Sequence, residues 1–120
     1  MEENKGYKAI GKYLMYSPKK LRPIANLVRR KPYTDAVAQL DVIPNRGAEL
    51  LKKVIMSAAA NALNQNKKLD EEMLYVKEIQ VNEGPRLKRV WARAKGKRDI
   101  LLRRMSHISV IVDELAKVGE

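Results

Sequence analysis

Apolar residues recur along this chain in two different rhythms. Residues 7–16, from Tyr7 to Tyr16, mix tyrosine with aliphatic residues and are closed off by Ser17-Pro18, which predicts a first strand. Ser17 then suits a helix N-cap and Pro18 the first helical position, where a missing N–H costs nothing. Leu21, Ile24, Leu27 and Val28 follow at helical spacing. Pro23 falls inside that pattern and predicts either a kink or a regular helix that begins only near Arg22. Lys31-Pro32 ends the helix. Thr34 is placed to cap a short second helix with Ala36, Val37 and Leu40 inward, and Pro44-Asn45 breaks and restarts the chain. The third helix, about 46–65, is the clearest element. Leu51, Val54, Ile55, Ala58 and Ala62 form one stripe, Lys52 and Lys53 lie off it, and the small run Ser57-Ala58-Ala59-Ala60 lets another backbone come close.

After the polar turn Asn66 to Glu72 the rhythm shortens to about two residues, the period of a strand. Leu74 to Val81 is rich in strand formers. So is His107 to Val112, where Ile108, Val110 and Val112 alternate with His107, Ser109 and Ile111. Between these lies Glu83-Gly84-Pro85, then a Lys95-Gly96 turn flanked by strand-like arms, which reads as one long β-hairpin. About 12 residues separate Gly84 from that turn, so the tip should lie roughly 40 Å out at strand rise. A compact domain of this length has a radius of gyration of only about 14 Å. The predicted class is therefore α+β: three helices packed on a small antiparallel sheet, with a long basic hairpin protruding from it. One domain is expected over residues 1–120, a body of about 7–83 and 106–114 with the hairpin at about 84–105.

Composition adds that the core must be aliphatic, because there is one Trp, five Tyr and no Phe. Without Cys there is no disulfide framework and no thiolate metal site, which suits a reducing cytosol. Met1 to Lys5 has neither the apolar core of a signal peptide nor the character of a transit peptide, so no targeting segment is expected. No apolar run approaches the roughly 20 residues of a membrane span, and no membrane partner is expected.

Charge changes the picture most. The formal net charge is +11 over 120 residues. Residues 1–31 hold nine cations and two carboxylates, and 86–104 hold nine and one; the stretches 32–85 and 105–120 each sum to −2. A surface made basic for solubility alone would mix the signs. The hairpin carries Arg86, Lys88, Arg89, Arg93, Lys95, Lys97, Arg98, Arg103 and Arg104, interleaved with Leu87, Val90, Trp91, Ile100, Leu101 and Leu102. So charged a ribbon repels itself and has no core of its own; a polyanion that neutralises it resolves both problems, and Trp91 can stack on a base or pack across the ribbon. A second basic group comprises Lys19, Lys20, Arg22, Arg29, Arg30 and Lys31, with Lys5, Lys8 and Lys12 upstream. The blander alternatives are a solvated basic edge that discourages aggregation and an ordinary solvated helix face.

Catalytic patterns are missing. His107 is the single His and reads as a structural hydrogen-bonding residue within a strand. No Gly-x-Ser-x-Gly elbow, phosphate loop or zinc signature occurs, and Asp70-Glu71-Glu72 reads as a solvated turn. Neither an enzyme nor a cofactor is expected.

A set of short motifs follows in fixed order: Tyr16-Ser17-Pro18-Lys19-Lys20, Ala58-Ala59-Ala60-Asn61-Ala62, Glu83-Gly84-Pro85, Arg93-Ala94-Lys95-Gly96 and Ser106 to Val112. Together they resemble the bacterial form of the large-subunit ribosomal protein twenty-two family, from about Gly11 to Asp113. That resemblance implies a small α+β body with an extended hairpin, bound to several domains of large-subunit ribosomal RNA and aiding subunit assembly. It implies a cytoplasmic location in the ribosome, neighbouring ribosomal proteins as partners, and no homo-oligomer. It also implies that the hairpin tip lines the nascent-peptide tunnel, with Lys88, Arg89, Trp91, Arg93, Ala94, Lys95, Gly96 and Lys97 at or near it. Two positions depart from the family's habit: Ala92 stands where many members have Pro, and Pro23 where an aliphatic residue is usual. The competing reading is a free-standing nucleic-acid regulator that reads bases with a helix. The best helix offers it only Arg46, Lys52, Lys53 and one Glu.

Overall fold

The computed structural model describes residues 6–92 and 98–114, with side chains described for 6–85 and 104–114. Strand β1 (Tyr7–Leu14) leads to helix α1 (Pro18–Val28), α2 (Tyr33–Val42) and α3 (Arg46–Gln65). A 3₁₀ turn (Glu71–Met73) then enters the long strands β2 (Leu74–Ala92) and β3 (Arg98–Glu114). The sheet is antiparallel in the order β1-β3-β2, with the three helices packed on it. This is the expected α+β arrangement.

Alternation along β3 puts Ile108, Val110 and Val112 into the core, each fully buried, against Val76, Ile79 and Val81 of β2. Helix α3 covers them with Leu51, Val54, Ile55, Ala58, Ala59 and Ala62, and α1 adds Leu21, Ile24, Ala25 and Val28. β1 comes close to α3 on either side of the small-residue run. A Cβ on Gly11 of β1 would fall 2.8 Å from Val54 Cγ2, and Asn61 Nδ2 donates to the Lys8 carbonyl at 2.9 Å.

Asn45 caps α3 as expected, its side-chain oxygen accepting from the N–H of Gly47 at 2.6 Å and of Ala48 at 3.3 Å. Asn45→Ala should therefore cost about 1 kcal/mol of stability, read as a shift in the urea midpoint at unchanged slope. Two other caps differ from expectation. Ser17 occupies the N-cap position of α1, yet its hydroxyl makes no capping bond; its carbonyl instead accepts from Lys20 and Leu21. α2 begins at Tyr33 rather than after Thr34, because the preceding residues are tied to β2: Arg30 N donates to Val76 O and Val76 N to Lys31 O. Those long-range bonds hold the chain in a non-helical turn as far as Pro32, whose carbonyl takes the first helical bond, from Ala36. Helix α1 starts at Pro18 and runs through Pro23, which sits on its exposed side.

The expected strand and hairpin are one continuous element on each side. β1 pairs with β3 from Tyr7↔Val112 to Leu14↔Ser106; outward of that point β2 and β3 pair only with each other, as far as Ala92↔Arg98. The ladder is irregular between Glu83 and Arg86. Pro85 lacks an N–H to donate, and an irregularity in an edge strand is where a sheet tolerates it. The nine residue steps from Glu83 to Ala92 carry the ribbon about 30 Å outward. The molecule is accordingly drawn out, 67 × 34 × 22 Å with a radius of gyration of 17.6 Å.

Candidate nucleic-acid interface

The second basic group reaches the base of the arm at one end, with Lys19, Lys20 and Arg22 at the start of α1, while Arg30 and Lys31 are tied to Val76 toward the inner end of β2 and Lys8 pairs with Ile111 on the far edge of the sheet. Helix α1 runs along the outer edge of β2. Arg22 Nη2 donates to Val81 O at 3.3 Å, Arg29 Nη2 to Ile79 O at 2.9 Å, and Arg30 N to Val76 O at 2.8 Å. The helix thus begins where the sheet narrows to two strands and ends near the inner end of β2. A second tie fixes that start: Ser106, fully buried, donates its hydroxyl to the Tyr16 carbonyl at 2.6 Å.

Lys19, Lys20, Arg22 and Arg30 are exposed along α1, as are Lys8 and Lys12 on β1. Residues 6–34 contain eight cations and not one carboxylate. Arg104 is exposed on the body side of the arm; Arg86, Lys88, Arg89, Trp91, Arg98 and Arg103 are placed on paired strand backbone. Arg93, Ala94, Lys95, Gly96 and Lys97 lie outside the described residues. At the opposite end of the long strands, Leu74 pairs with Glu114 and follows Asp70, Glu71 and Glu72, all exposed, with α2 and its Asp35 nearby. Charge is therefore graded along the molecule, basic at the arm and mixed to acidic at the far end. Such a gradient orients approach to a polyanion as well as strengthening it.

Arg22 and Arg29 do a second job that residue type alone did not reveal. β2 is an edge strand, and their guanidinium groups occupy carbonyls that would otherwise invite another strand. Arg29 also engages Asn26 and is only part exposed, so it is the most anchored cation of the group. His107 is structural, as expected: its Nδ1 accepts from the Tyr13 N–H at 3.1 Å. Burial first and the Glu71 carboxylate second raise the Tyr33 phenol above its usual value. No group of metal-ligating side chains occurs among the described residues.

Comparison with known proteins decides the family. The profile described as Ribosomal protein L22p/L17e matches residues 9–113. The large ribosomal subunit protein uL22 of Treponema denticola is 57% identical over 116 residues, covering 97% of this chain and 98% of that protein. The uL22 of Treponema pallidum is 52% identical over 120 residues, 100% of this chain and 97% of its own length. Borrelia recurrentis uL22 is 50% identical over 117 residues, 98% of each. The chain belongs to the ribosomal protein L22p/L17e family. The matched span takes in the whole arm, α1 and every candidate RNA contact except Lys8. An L22p/L17e chain is a structural protein, in keeping with a surface organised by charge rather than around a reaction centre.

Proposed function

We propose that this protein is a constituent of the large ribosomal subunit that binds its ribosomal RNA, supports assembly and lines the nascent-peptide tunnel with its hairpin tip. One observation carries the RNA-binding reading: six cations, Arg86, Lys88, Arg89, Arg98, Arg103 and Arg104, sit on a two-stranded ribbon that leaves the body at the basic start of α1, in a segment of sequence that holds nine. Outside a polyanion that ribbon is self-repelling; within folded RNA its phosphate contacts fix its position. Neighbouring subunit proteins are the natural partners of the less basic end, and the working location is the ribosome. The names of the relatives support the ribosomal assignment, and the length and slenderness of the arm support a reach into the particle's interior.

Titrating the full chain against transcribed large-subunit RNA at several salt concentrations tests this. If about eight phosphates are engaged, log K should fall with log salt at a slope near −7. A slope shallower than about −2 contradicts the electrostatic account.

The tip and the arm should divide the work. Ala92, Ala94 and Gly96 are small residues set among cations, a combination that allows close approach to a neighbouring surface. Deleting 93–97 should leave large subunits able to assemble and form peptide bonds while changing the response to peptides that stall in the tunnel. Replacing Arg86, Lys88, Arg89, Arg103 and Arg104 together by Ser should impair assembly itself. Gradient profiles and a stalling reporter on both variants decide between these roles; equal assembly defects would refute the division.

A further inference from the structure

With the helices on one face, the arm-side part of the other face exposes Ile10, Tyr13, Gln80 and Asn82, and two rings are fixed there where the arm begins. Tyr13 is 60% exposed although its neighbour Leu14 packs against the core. Its backbone has φ 58, a region bulky residues rarely adopt. An irregularity in β1 between Gly11 and Leu14 creates that turn outward. The conformation is held by His107, whose Nδ1 takes the Tyr13 N–H and whose ring meets the Tyr13 ring edge-on, with centroids 5.0 Å apart at 89°. His107 lies over Gly84, where a Cβ would fall 3.2 Å from its Cε1 and 3.3 Å from its Nε2. A strained backbone, a buttressing ring and a glycine seat together hold an aromatic ring out to solvent.

The surroundings define what fits there. Asn82 pairs with His107 in register, and the next row across the sheet is Ile10, Ser109 and Gln80. Amide and hydroxyl groups both donate and accept, as base edges do. Lys8 and Lys12 are exposed on β1, and the carboxylate of Glu78 is engaged by the Gln80 amide at 3.2 Å. β2 and β3 continue from this face straight into the basic arm. A duplex hides the faces of its bases, whereas a single strand offers them for stacking.

We propose that the Tyr13–His107 pair on this exposed part of the sheet face seats an unpaired base of single-stranded RNA, with Asn82 and Gln80 reading its edge and Lys12 its phosphate. The proposal rests on the RNA-binding reading above and adds a specific point of contact away from the arm.

Two variants of the full chain test it, with a short single-stranded oligoribonucleotide and transcribed large-subunit RNA as probes. Tyr13→Asn removes the ring while suiting a left-handed backbone; Tyr13→Phe keeps the ring. Tyr13→Asn should bind the oligoribonucleotide about ten- to hundredfold more weakly, with an unchanged salt slope, because stacking releases no counterions. Tyr13→Phe should bind like the parent. Lys12→Ser should instead make the slope shallower by about 0.7. Ultraviolet crosslinking of the unaltered protein should place an RNA adduct on Tyr13 or His107, a readout that does not depend on a variant folding. A parent that binds both RNAs while Tyr13→Asn binds equally well, or crosslinks confined to other segments, overturns the seat and leaves this face to a protein neighbour. A parent that binds neither RNA at low salt overturns the underlying reading, and the seat with it.

Discussion

Replacing residues 86–104 by a two-residue Asn-Gly turn should leave a body that melts cooperatively but has lost most of its hold on large-subunit RNA. Among the described side chains the buried hydrophobic cluster runs from Ala9 to Val81 and from Ile108 to Val112, all within the body. The ties that close the body, Arg22 to Val81, Arg29 to Ile79 and Ser106 to Tyr16, also fall inside that boundary. What the substitution removes is nine cations and one carboxylate, a net +8. The salt slope should relax from near −7 to about −3 or shallower, and affinity at moderate salt should fall on the order of a thousandfold. Calorimetry and RNA titration on the same preparation check both halves. Disappearance of the melting transition would mean that the arm is part of the folding unit, and the division into body and arm would have to be abandoned.

Ile55→Ala should produce the opposite pattern, a large loss of stability with RNA affinity unchanged well below the melt. Ile55 is fully buried on α3, the helix that touches β1, β3, α1 and α2. Because several elements frame the site, none can move in alone to fill the space left behind, so a cost of about 3–4 kcal/mol is expected. The melting temperature should drop by roughly 10–15 °C. Denaturant titration checks the figure: a loss below about 1 kcal/mol would show that α3 is not the central layer of the fold.

Much of this arrangement was legible in the sequence because it follows from local rules. The stripe on 46–65, the Asn45 cap and the alternation of Ile108, Val110 and Val112 each depend on residues close in the chain, and each stands in the structure as read. The misread features depend on partners far away. Thr34 looked like a cap because nothing nearby shows that Arg30 and Lys31 are bonded to Val76, some 45 residues on. Arg22 and Arg29 read as free cations because a guanidinium resting on the carbonyls of an edge strand leaves no local signature. Tyr13 read as an ordinary strand residue, since a left-handed turn is marked in sequence by Gly or Asn and seldom by an aromatic. The basic surface itself was legible as two separate segments of chain. That the start of α1, with Lys19, Lys20 and Arg22, adjoins the base of the arm was not, because it requires knowing that α1 lies along β2.

The unbroken passage of β2 and β3 from core to arm has a mechanical consequence. A pull on the far end of the ribbon is directed along the strands, and β3 is the middle strand of the sheet, held by β1 on one side and β2 on the other. The load therefore falls in shear on many hydrogen bonds at once, where a ribbon attached across its axis would peel them apart singly. Arg22 and Arg29 brace β2 from outside at Val81 and Ile79, just inward of the point where the third strand ends. A slender projection anchored in this way behaves as a tension member, able to bear strain from the moving mass around it without drawing the body open.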